Sequence, residues 1–153
     1  MRDILRAAVV RIFLSRESSA DERVIEISVR LKNHTNIQLV QSPLNPMEGD
    51  DPRWDDWYGR GSIDAIANAD YFVAVVTNGY DGSTWMAHEF DVAWQHYRRH
   101  GRPRLFVAKP TSKPLPLGFK NYEAASTILV GAPDTAVATL LAHVRAATAK
   151  SGE

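Results

Sequence analysis

"DYFVAVVTNGYDGSTWMAHEFDVAWQHYRRHG" (70–101) is the stretch that decides the fold. Tyr71 to Val76 form an unbroken apolar run, closed by Thr77. A run so short, rich in β-branched and aromatic residues, predicts a strand buried on both faces. "NGYDGS" (78–83) has the Asn, Asp and Gly of a loop. Helix is predicted from about Thr84 to His100. Met86, Phe90, Ala93 and Tyr97 fall on one of its faces, with Asp91, Gln95 and Arg98 opposite. Gly101 then supplies a C-terminal cap.

The same alternation runs outward in both directions. "AVVRIFLS" (8–15) reads as a buried strand, and "NIQLVQS" (36–42) as a second. Between them, "SADERVIEISVRLKN" opens with Ser19 and Glu22 in capping-box spacing, and Val24, Ile27 and Leu31 recur at helical intervals. "PLNPMEGDDP" (43–52) is a turn-rich loop. "RWDDWYGRGSIDAIANA" predicts a helix from about Trp54, weakened by Gly59 and Gly61. "RLFVAKP" (104–110) and "STILVG" (126–131) are the last two strands, separated by the long loop "TSKPLPLGFKNYEAA". Pro133 stands near the start of a final helix. Strands alternating with helices predict an α/β three-layer sandwich around a parallel sheet. Five strands suit a flavodoxin-like order of 2-1-3-4-5. One domain is expected over 1–153, with its core at about 8–147 and a flexible C-terminal tail.

The chain of 153 residues has 18 basic and 18 acidic side chains, hence no net charge. Such a balance argues against a dedicated nucleic-acid binder. Cysteine is absent, which excludes disulfides and thiolate metal sites and is compatible with the cytoplasm. No apolar run approaches the ~20 residues that cross a bilayer, and Arg6 and Arg11 interrupt the apolar residues of the amino terminus. A soluble protein without a membrane partner is expected.

In a sheet of this order, ligands bind beyond the carboxyl ends of the strands, where strand order reverses. That point lies between the first and third strands. The loops there are "SRESSA" (15–20) and "TNGYDGS" (77–83), and the second leads into Trp85 and Glu89. An acidic residue on a helix usually faces water beside a base three or four places away. Around Glu89 those places hold Trp85, Met86, Val92 and Ala93. The helix dipole alone would tolerate an acid there. Beside the predicted crevice, the same acid is a candidate for chemistry. Trp85 is either a packing residue or a stacking surface for a flat ligand.

Taken in order, these segments resemble a TIR-like domain. "VRIFLS" resembles its first strand and "SPLNPMEGDD" the loop after its second. "IDAIANADYFVAVVT" resembles the short helix feeding its third strand. "STWMAHEFDVA" resembles a Ser–Trp–x–x–x–Glu signature whose Glu is catalytic in NAD-consuming members. The likeness runs from about residue 9 to 100 and more loosely beyond. As a lone domain, the chain looks most like small bacterial standalone TIR-like proteins of the Thoeris antiphage type. That resemblance implies cleavage of NAD, as substrate and not as cofactor. ADP-ribose or a cyclic isomer would then signal to a separate effector protein. By position it makes Glu89 the catalytic carboxylate and Trp85 a wall of the nicotinamide pocket. It sets Ser15, Arg16, Asn78 and Ser83 near the dinucleotide, and makes the 43–52 loop a candidate for self-association. Nicotinamide leaves as a neutral pyridine, so one carboxylate against the ribose suffices, where ordinary glycosidases need two.

Two other functions fit the same fold class. A nucleoside deoxyribosyltransferase-like enzyme also places a Glu early on a helix, although Phe90 replaces the small residue expected after it. A TIR-type assembly module would work by association alone. Elsewhere, His96 and His100 stand four apart but lack a matching carboxylate for a metal. "RRHGRPR" (98–104) either complements a helix end or binds phosphate. The acids of "EGDDPRWDD" read more simply as helix caps than as a metal or acid pair.

Overall fold

The computed structural model describes residues 9–16, 22–41, 61–77, 84–110 and 126–151. Five strands occur there: β1 (Val10–Ser15), β2 (Ile37–Gln41), β3 (Tyr71–Val75), β4 (Arg104–Lys109) and β5 (Ser126–Val130). Four helices accompany them among the described residues: α1 (Glu22–Lys32), α2 (Ser62–Ala67), α3 (Thr84–His100) and α4 (Pro133–Ser151). All strand pairs are parallel, and the order is β2-β1-β3-β4-β5. The order expected from the alternation of strands and helices is therefore the one observed.

The pleat sorts each strand's side chains into two layers. Ile12, Leu14, Val73, Val75, Phe106 and Ala108 face one side and pack with Val24, Ile27 and Leu31 of α1 and with Ala136, Leu140 and Val144 of α4. Phe13, Phe72, Ala74, Leu105 and Val107 face the other, against Ile66 of α2 and Phe90 and Ala93 of α3. The centre of this second layer is aromatic. Phe13 and Phe72 are register partners on neighbouring strands, their rings stacked at 5.6 Å. Phe90 meets Phe72 edge-on at 5.6 Å, which anchors α3 to the sheet. Each such fully buried side chain stabilises the fold by roughly 1.5–3 kcal/mol.

The boundaries follow local chemistry. α3 spans Thr84–His100 as its periodicity predicts. It stops at Gly101, whose φ of 76° lies in the left-handed region that glycine enters without penalty, and the Gly101 amide donates to the Tyr97 carbonyl. α4 begins at Pro133 and runs to Ser151. The predicted helix from Trp54 is described only as α2; its first part, Ser19 of the capping box and the segment 111–125 lie outside the described residues. No helix of the described residues is long and apolar enough to cross a membrane.

Candidate active site

β1 and β3 are neighbours, and each is followed by a helix on a different face of the sheet. Their carboxyl ends therefore flank the crevice where the connections diverge. β1 ends in Ser15, whose register partner on β3 is Ala74. Both lie on the α3 side of the sheet. Glu89 sits in the second turn of α3, one residue before the anchoring Phe90. Packing of Phe90 on Phe72 thus fixes how Glu89 meets the end of β1.

The Ser15 hydroxyl donates to Glu89 Oε1 at 2.9 Å. The partners are 74 residues apart in sequence. Both are buried, with Ser15 at 0% and Glu89 at 3% exposure. Helical placement alone puts Glu89 in a stripe beside the apolar face. The tertiary structure takes it deeper, because the end of β1 closes over that stripe. Arg16, also buried, follows directly. Burial pushes its guanidinium below its ordinary pKa, and attraction to the Glu89 carboxylate opposes that shift. A buried carboxylate or guanidinium costs several kcal/mol unless it is paired, so the two charges support each other. A carboxylate held by a hydroxyl and faced by a cation is oriented and kept out of bulk water. It can stabilise positive charge that develops on a ligand.

The fold brings together Ser15, Arg16 and Glu89, the three residues that the sequence places at the crevice. Trp85 is described only through its backbone, in the first turn of α3. Asn78 and Ser83 lie outside the described residues, as does the 43–52 loop. Thr77 was overlooked. It follows β3, is buried, and its hydroxyl has no hydrogen-bond partner among the described residues. Leaving such a group unsatisfied costs about 1–3 kcal/mol. Its signal was present in the sequence: one polar residue closing an apolar run, as Ser15 closes the first strand.

His96 is elsewhere. A carbonyl oxygen only accepts, so His96 Nδ1 donates to the Arg102 carbonyl at 2.9 Å, tying down the turn after α3. Its ring lies 4.4 Å from that of His100. No group of three His, Cys, Asp or Glu side chains able to hold a metal ion occurs among the described residues. Compared with protein-family models, curated proteins and solved structures, the chain matches none.

Proposed function

We propose that this protein is a TIR-like enzyme of flavodoxin-like fold that cleaves NAD in the cytoplasm. The observation that carries this reading is the buried Glu89 carboxylate at the β1/β3 crevice, held by Ser15 and faced by Arg16. In the reaction, the bond between the ribose C1′ and the nicotinamide nitrogen breaks. Its electron pair goes to the ring nitrogen, which becomes neutral, so no acid is needed. Positive charge passes to the ribose, where Glu89 stabilises it. Water then bonds to C1′ and releases one proton, giving ADP-ribose. Attack by the adenine of the same molecule gives a cyclic isomer instead. Exclusion of water decides between them.

Arg16 suits the pyrophosphate, and Ser15 keeps the carboxylate aimed. Trp85 would wall the nicotinamide, with Asn78 and Ser83 in the loop ahead of it. The product would act as a nucleotide signal read by an effector protein in antiphage defence. Self-association through the 43–52 loop would complete the site, as in assembling TIR modules.

The test is incubation of purified protein with NAD, with products resolved by mass spectrometry. Glu89→Gln is expected to lower cleavage by at least ~10²-fold, the scale for losing one electrostatic stabiliser. Wild-type rates in that variant would sink the assignment. Cleavage of nucleosides with NAD untouched would favour the deoxyribosyltransferase-like alternative. Association without turnover at any protein concentration would favour the assembly module.

A further inference from the structure

A second polar concavity lies at the other end of the sheet. It encloses about 380 Å³ at the amino ends of β4 and β5. Arg104 and Phe106 line it from β4, and Thr127 from β5. Tyr97 and Gly101 reach it from the end of α3, and His143 from α4. Its size falls at the small end of the roughly 300–1,000 Å³ common for ligand sites. The floor is firm. Phe106 is buried between the rings of Tyr71 and His143, at 5.7 and 5.4 Å. Where Gly101 lines the wall, an added Cβ would meet nothing within 4 Å, so that side stays open.

The turn between α3 and β4 is basic. Residues 98–104 contain four arginines and no acid, in a chain with no net charge. Complementing the α3 dipole accounts for Arg98, Arg99 and His100 in the last turn. Arg98 stands over the Trp94 ring at 5.8 Å, and Arg102 donates to the Ala67 carbonyl at 3.4 Å. Neither explanation covers Arg104. It is exposed, belongs to β4, and borders the cavity. The nearby acid is Asp70, whose carboxylate accepts from the Arg11 amide at 2.9 Å.

We propose that this cavity binds a small phosphate monoester carrying a flat ring, of mononucleotide size. Arg104 takes the phosphate, the Thr127 hydroxyl and the His143 ring hydrogen-bond the sugar or phosphate, and the ring of Tyr97 supports the flat group. A nucleic-acid strand would need an extended basic track, whereas here the basic wall borders a pocket of one ligand's size. The proposal is independent of NAD cleavage.

The test is a two-dimensional NMR titration of the full chain with adenosine 5′-monophosphate, adenosine, inorganic phosphate and a single-stranded oligonucleotide. Adenosine 5′-monophosphate is expected to give saturable shifts at Arg104, Thr127 and His143. Arg104→Gln should weaken it at least about tenfold, and Thr127→Val should weaken it less. Glu89→Gln, once its spectrum shows it folded, should leave this binding unchanged, which separates it from the site on α3. Arg104 is exposed, so its variant should keep the wild-type melting temperature. The proposal is overturned by shifts confined to the Ser15 side, or by no saturation in the millimolar range. Equal affinity for adenosine overturns the phosphate contact, and equal affinity for inorganic phosphate the flat group. Preference for the oligonucleotide overturns the small-ligand reading.

Discussion

The two ends of the sheet handle polar groups in opposite ways. At the carboxyl ends of β1 and β3, Ser15, Arg16, Thr77 and Glu89 are all buried. At the amino ends of β4 and β5, Arg104 and His143 stand exposed around a cavity. Buried polar groups cost free energy unless each satisfies another. Ser15, Arg16 and Glu89 must therefore behave as a unit, and changing one of them harms the others, whereas the Thr77 hydroxyl stands apart. Solvent serves Arg104, so it can be changed without harm to the fold at neutral pH. Coupling, and not residue type, separates the two ends.

The largest effect that could break this contrast concerns Arg16 and Glu89. Both side chains are buried and the Glu89 carboxylate attracts the Arg16 guanidinium, so Arg16→Gln and Glu89→Gln should each destabilise the fold. The double variant should lose less than the sum. Chemical denaturation of all four proteins measures the coupling. Strictly additive losses would mean that the carboxyl-end cluster is no unit at all. The same comparison separates loss of fold from loss of turnover in Glu89→Gln.

A smaller effect is expected at Ser15. Ser15→Ala removes a hydrogen bond to a charged acceptor and should cost about 1.5–3 kcal/mol, read from the denaturant midpoint. A neutral substitution would show that the Ser15 hydroxyl does not hold Glu89 in place.

The smallest effect sharpens the amino end. Tyr71 is buried there. Burial raises its hydroxyl pKa, nearby Arg104 lowers it, and Asp70 raises it. With the folded value raised, an unfolded tyrosine ionises first, near pH ~10. The stability contributed by neutral Tyr71 is thus present below that pH and is lost as pH rises through the folded value. Tyr71→Phe should flatten the alkaline loss between about pH 9 and 11, and Arg104→Gln should steepen it. Identical alkaline profiles for all three proteins would remove Arg104 from the surroundings of Tyr71.

Much of this architecture was legible in the sequence. The apolar runs at 10–14 and 71–76 have no solvent-facing positions apart from Arg11, which marks strands inside a sheet. The 84–100 pattern placed Phe90 and Ala93 inward, with Asp91, Gln95 and Arg98 outward, as found. Glu89 stood out because its local neighbours offered it no partner. Less legible was its depth, since the hydroxyl that binds it comes from another strand. Nor did the basic run 98–104 divide itself into capping and cavity-lining arginines, because that division depends on where α3 ends and β4 begins.

Hydrophobic periodicity by itself determined the strands, the helices and their alternation along the chain. Those are properties of neighbouring residues, set by the 3.6 and 2.0 repeats of helix and strand. Only the tertiary structure decided that Ser15 meets Glu89, that Arg16 is buried with them, and that Arg104 and His143 share a cavity. Pairing and burial depend on contacts between segments far apart in the chain, and no local pattern encodes which distant atom a side chain will reach.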